Sequence, residues 1–187
     1  MIKTEISNPR SKTEILNALE DVAEKIESYY TSLSPEQFFH DGLGGWSAAQ
    51  NLSHITFIGS LAVYLFGLPR FLFIPFGKQT IQRDFSTLKN DYIGSDKVIF
   101  IGPLAPSSIA PPLDGINVIQ NMAVEWRKVY RDLNIAIQSI PEEDMDNYSL
   151  PHPSMGMLSL REMIYVIIIH PIHHTFKVEQ KLERFTR

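Results

Sequence analysis

Apolar residues recur every three or four positions in four stretches of this 187-residue chain, the spacing of one face of an α-helix. In the first, Ile15, Leu19, Val22, Ile26, Tyr29 and Leu33 follow Ser11-x-x-Glu14, whose hydroxyl and carboxylate can satisfy free amides at a helix start. The pattern predicts a helix from about Lys12 to Leu33. The second follows "GLGGW", opens with Ser47-x-x-Gln50, carries Leu52, Ile55, Ile58, Ala62 and Leu65, and stops at Gly67 and Pro69. A third begins near Asp114 and runs through Ile116, Ile119, Met122, Ala123, Trp126, Val129, Tyr130, Leu133 and Ile137 towards Pro141. The fourth starts at Ser159-x-x-Glu162, passes Met163, Val166 and Ile167, and reaches three histidines within five positions, in "HPIHH". Its charged end, "KLERFTR", is expected to fray or lie exposed.

Between the second and third helices lies a segment, 67–112, whose Pro69, Pro75, Pro103, Pro106, Pro111 and Pro112 exclude long helices from its two ends. It is too apolar for a disordered linker. "RFLFIPF" and "KVIFIG" are expected to pack on the helices, and so long a connection reads as a lid or crossover. The chain also hints at an internal repeat of helix, Pro-Glu turn and capped helix with histidine, through "SPEQFF" and "IPEEDM". Common helix punctuation is an alternative explanation of the same words, but the matched placement of the histidines favours a real duplication.

Composition narrows the class. With 44% hydrophobic residues the chain can bury one substantial core, so residues 1–187 are read as a single all-α domain. A formal charge of -4 leaves no positive surplus for a run of phosphates, so nucleic-acid binding has no support. The apolar stretch Ile55–Leu68 is shorter than the roughly 20 residues of a bilayer span, so it reads as a buried core helix. No membrane partner is expected, and because "MIKTEISNPR" lacks the apolar segment of a secretory signal, a cytoplasmic location is the default. There is no cysteine. The protein therefore has neither disulfides nor a thiolate of its own, and a transition-metal site must use His, Asp or Glu.

The histidines are the candidates. At 100° per residue His170 and His174 lie about 40° apart on one helix face, one turn separated, so both imidazoles reach the same point. His173 falls about 60° to the other side of His170 and reads as a supporting or surface residue. Met163, Val166 and Ile167 precede the pair on its face, so it points into an apolar interior where an unpaired imidazole is costly. His54, on a stripe with Phe57, Ile58, Leu61 and Leu65, faces inward from the second helix. Together His54, His170 and His174 make a set of neutral nitrogen donors that leaves coordination positions free. A helix face rich in imidazole without metal, or one that titrates near neutrality, competes with that reading. Pro171 strips the Ile167 carbonyl of its helical donor, so a kink is expected there unless water or a side chain intervenes. His40 and His152 sit in expected loops, His152 near a site mouth, and neither is counted as a ligand.

The order of these words resembles the DinB-like superfamily, which includes bacillithiol transferases and the mycothiol-dependent maleylpyruvate isomerase. The matching residues are Trp46, Ser47 and His54, then Pro153, Gly156, Leu158 and Ser159, then His170, His173, His174 and Gln180. The resemblance implies a four-helix bundle with up-down-down-up connectivity, in which the long segment is the crossover. It also implies a divalent metal held by His54, His170 and His174: zinc first, with nickel, iron or manganese as alternatives. Pro171 and the aromatic, proline-rich insertion depart from the family pattern. The function expected on this basis is a metal-dependent enzyme that activates a bound water or low-molecular-weight thiol for hydrolysis or thiol transfer on a small-molecule substrate. The rival expectation is a non-enzymatic stress-response or binding module that uses the 67–112 insertion as an interaction surface, with a homodimer as one way to cover it.

Overall fold

The computed structural model of the protein describes residues 6–41, 44–94 and 105–185. They are mostly helical: α1 (Lys12–Thr31), α2 (Pro35–Phe39), α3 (Ala48–Gly67), a 3-10 helix (Arg70–Phe76), α4 (Phe85–Gly94), α5 (Gly115–Gln138), α6 (Asp144–Asn147) and α7 (Leu160–Phe185). An antiparallel hairpin of β1 (Ser149–His152) and β2 (Gly156–Ser159), with Leu150 opposite Leu158, leads into α7. The long helices α1 and α3 each pack on both α5 and α7. Their inward faces merge into one apolar cluster that includes Leu19, Leu52, Trp126 and Ile164.

The three expected capping boxes form. Ser11 with Glu14 and Ser47 with Gln50 satisfy each other's helix starts reciprocally, and at α7 the Ser159 hydroxyl accepts from the Glu162 amide while Glu162 accepts from the Ser159 amide at 2.9 Å. A further box, Ser34 with Gln37, opens the short α2.

Sequence periodicity places part of the inward face of α3: Leu52, His54, Ile55 and Ala62 are buried as expected, but two residues of the stripe shared with His54 are not. Phe57 and Leu61, expected inside, are exposed, and the buried face is Asn51, Leu52, Ile55, Thr56, Gly59, Ala62 and Phe66. The helix is apolar nearly all round, so its period marks no side. Close approach to α5 decides instead: a Cβ on Gly59 would sit 2.8 Å from Val129 Cγ1, so Gly59 faces α5 and Phe57 and Leu61, two residues to either side, are turned outward.

Three further expectations hold only in part. The tail of α7 lies exposed at Glu183 and Arg184 but does not fray within the described residues: helix continues to Phe185, because Val178 and Leu182, one turn apart, are buried and hold the last turns down. At Pro171, within α7, the exception allowed for the expected kink is met by a side chain. The Ile167 carbonyl that the proline strips of its donor accepts instead from the Tyr130 hydroxyl of α5, at 3.1 Å. Finally, "RFLFIPF" does not pack as a unit. Phe73 is buried, but Phe71, Leu72, Ile74 and Phe76 are exposed, since one short 3-10 segment interrupted by Pro75 can turn few side chains to the core. "KVIFIG" lies outside the described residues.

The insertion has helical structure of its own. α4 packs on α7 and buries Phe85 and Leu88, and just before it the Arg83 guanidinium meets the fully buried Glu162 at 2.9 Å. Among the described residues no single helix is long and apolar enough to cross a membrane; α3 and the 3-10 helix reach that measure only together, across a 96° bend.

Candidate metal centre

Two helices deliver the three histidines. The capping box at Ser47 starts α3 so that Asn51 and His54, three residues apart, share its buried face. The box at Ser159 starts α7, and after an apolar run in which Met163 to Ile169 are all buried, His170 and His174 follow one turn apart. Packing of α3 on α7 brings them together. One nitrogen from each of His54, His170 and His174 lies within 4.8 Å of the other two, and His54 and His170 are buried.

The donor set fits a divalent cation. The Nε2 atoms of His54 and His170 are 3.2 Å apart. Two imidazole nitrogens on a tetrahedral zinc ion, each about 2.0–2.1 Å from it, stand about 3.3–3.4 Å from one another. Two lone pairs at that distance repel unless a proton or a cation lies between them.

The third candidate ligand, His174, has its tautomer fixed. The Asn51 amide donates to the backbone oxygens of Ser47 at 2.9 Å and Trp46 at 3.3 Å, so its Oδ1 is oriented as an acceptor. His174 Nδ1 lies 2.8 Å from that oxygen and must therefore carry the proton. Nε2 is left as a bare lone pair, the form a metal ligand needs.

Electrostatics keep these rings neutral. Burial, reinforced by the neighbouring imidazoles of His54 and His173, pushes His170 down to about 3. Burial and the adjacent His170 hold His174 well below its ordinary value, and burial with the nearby Lys177 charge lowers His173 to about 4. Near neutral pH His170 and His174 need not shed protons before coordinating.

Aromatic rings flank the set. Trp46, half-buried, stacks on His174 with a ring separation of 5.7 Å and an interplanar angle of 12°, and lies 5.0 Å from the His54 ring. From the 67–112 segment, half-buried Tyr92 on α4 makes T-shaped ring contacts with His173 at 5.7 Å and His170 at 6.4 Å. Burial raises its phenol to about 12, so it is a neutral group at physiological pH.

Of the other histidines, His173 is half-buried beside Tyr92 and His174. His152 ends β1, half-buried, where its Nδ1 accepts from the amides of Ser154 and Met155 at 3.3 Å; His40 follows α2, half-buried. Sequence reasoning misses Asn51 and Tyr92. Asn51 is signalled by its i−3 spacing to His54 on one helix face. Tyr92 has no such signal, because its place depends on how α4 docks.

Two results test these assignments. Asn51→Leu should weaken zinc binding about 10- to 100-fold by freeing the His174 tautomer, read as a shift in the metal titration of Trp46 fluorescence. In metal-free protein, His170 binds a proton more readily when unfolded, near its ordinary value of about 6.5, than when folded. Its contribution is therefore complete above that pH and is lost as pH falls towards about 3. Between about pH 7.5 and pH 5 the wild type should lose about 2 kcal/mol more stability than His170→Ala, measured by urea unfolding.

The sequence pattern of one family covers the elements that build this site. It matches residues 18–175, from within α1 to just past His174, and is that of the DinB superfamily. No curated protein and no solved structure matches the chain. The match takes in well over half of the chain and all three candidate ligands, and on that ground the chain belongs to the DinB superfamily.

Proposed function

We propose that this protein is a metal-dependent enzyme that acts on a small molecule, by hydrolysis or by transfer of a low-molecular-weight thiol, at a divalent ion held by His54, His170 and His174. The observation that carries the reading is the pairing of a 3.2 Å nitrogen contact between His54 and His170 with a His174 ring whose tautomer is fixed by Asn51. Zinc suits three imidazoles best, with nickel, iron or manganese as alternatives. When bound, such an ion lowers the pKa of a coordinated water or thiol enough to supply a nucleophile near neutral pH. The chain's own residues hold and orient: the three imidazoles offer lone pairs, Asn51 keeps a proton on His174 Nδ1, and Trp46 and Tyr92 restrict water on two flanks. Since the chain has no cysteine, any reacting sulfur must come from the cosubstrate.

The reading includes a single domain, residues 1–187, with up-down-down-up connectivity and the 67–112 segment as its crossover. The order of packing supports it: α1 and α3 both neighbour α5 and α7, an arrangement that needs a long connection between α3 and α5 if those neighbours are parallel. A cytoplasmic setting belongs to the same reading.

The test compares chelator-stripped and zinc-restored protein for ester hydrolysis and for thiol addition to an aryl halide. Activity that returns only with metal, and is absent from His54→Ala, supports the proposal; activity indifferent to stripping contradicts it.

One observation favours a second reading, a non-enzymatic stress-response or binding module. Phe71, Ile74 and Phe76 on the insertion are exposed, more apolar surface than a free loop needs. A second copy of the chain would cover them as a homodimer. Light scattering of Phe71→Ser with Ile74→Ser, against wild type, tests that pairing: a mass that falls in the variant supports it and an unchanged monomer mass sinks it.

A further inference from the structure

The face of α7 that carries the ligands continues beyond them. His170, His174, Lys177 and Lys181 follow at intervals of four, three and four residues, which at 100° per residue confines all four to an arc of about 60°. The two lysines differ in what they do. Lys181 Nζ donates to the backbone oxygens of Gly45 and Trp46 at 3.3 Å each, so it braces the loop that places Trp46 against His174. Lys177, a turn nearer the ligands, is exposed and makes no hydrogen bond or ion pair among the described residues.

The charges that act on the candidate ligand rings are positive or neutral; on the same face Asp41 acts on Lys181, a turn further from them. The Lys177 charge bears on His170, His173 and His174 alike, and the other charges acting on these rings come from neighbouring imidazoles, with no carboxylate among them in the described residues. Glu179 and Glu183 act on Tyr29 of α1 instead, and Glu179 lies on the opposite side of α7 from His170 by helix register. Three neutral imidazoles also leave a divalent ion its full charge. A divalent ion in this setting attracts negative charge, and the exposed Lys177, one turn from His173 and His174, offers an ammonium to pair with it.

We propose that the small molecule taken by this site is an anion: one of its atoms reaches the ion held by His54, His170 and His174, while a carboxylate or similar group on the same molecule pairs with Lys177. This rests on the metal reading above and adds the substrate's charge and the residue that recognises it. Lys177 is then a specificity determinant, acting on affinity for charged over uncharged ligands.

The test uses cobalt-loaded protein and two thiols that differ only in charge, 3-mercaptopropionate and 3-mercaptopropanol, with binding read from the cobalt–thiolate absorption band. The affinity ratio of acid to alcohol should be about fivefold higher in the wild type than in Lys177→Gln, the size of an exposed ion pair, and the difference should shrink in high salt. Lys177→Arg should keep most of the ratio. Comparing ratios cancels the intrinsic difference between the thiols. A ratio unchanged by Lys177→Gln overturns this proposal alone, as do thiols that leave the cobalt spectrum untouched at saturation. Protein that takes up no cobalt overturns the metal reading, and this one with it.

Discussion

Replacing His170 and His174 together by alanine is expected to abolish metal binding, leaving His54 as a lone ligand from α3. The loss should exceed that from Asn51→Leu by orders of magnitude, because it deletes donors where the other change only disorients one. A stability readout magnifies the contrast. A ligand at about 1,000 times its dissociation constant stabilises the fold by about 4 kcal/mol, which for a chain of this size raises the melting temperature by about 10 °C. Saturating zinc should produce that rise in the wild type and none in the double variant. Calorimetry with and without zinc measures both, and an equal rise in the two proteins would place the binding elsewhere. Since both alanines are good helix formers, α7 itself should survive the change.

Glu162→Ala should have the largest effect on folding. This carboxylate is fully buried, accepts from the Ser159 amide at 2.9 Å to start α7, and accepts from the Arg83 amide and guanidinium at 3.1 and 2.9 Å. Truncation removes a helix cap and leaves Arg83, itself only a quarter exposed, without its strongest partner. Breaking a buried ion pair from one side costs about 3–5 kcal/mol, and the partial exposure of Arg83 argues for the lower end. Because Arg83 directly precedes α4, the variant should also loosen the segment that holds Tyr92 beside His170 and His173. Chemical denaturation reads the first consequence, and faster amide hydrogen exchange across 83–94 the second. A loss below about 1 kcal/mol would mean that water replaces the carboxylate's contacts.

The parts of this fold that were legible in sequence are those governed by local rules. Ser-x-x-Glu and Ser-x-x-Gln locate three helix starts, because reciprocal capping depends on residues only three apart. The His170–His174 pair is legible because helix register alone puts both on one face. Where tertiary contact decides, the sequence is silent or misleads. The inward side of α3 depends on Gly59 meeting Val129 across the α3–α5 contact, a fact that no period within α3 records. Pro171 signals a lost hydrogen bond, but its replacement by the Tyr130 hydroxyl comes from a helix some forty residues earlier in the chain. Tyr92 reaches the candidate site only because α4 lies on α7 and Arg83 clips its approach to Glu162. The convergence of His170 and His174 was thus readable from spacing, and the supports of the candidate site were not.

The most direct test of the central claim is zinc K-edge X-ray absorption on the metal-loaded protein. Convergence of His54, His170 and His174 on one ion predicts a first shell at about 2.0–2.1 Å in which three scatterers show the outer-shell pattern of imidazole and at least one further light atom does not. A shell with fewer than three imidazoles, or one unchanged in His54→Ala, would contradict it.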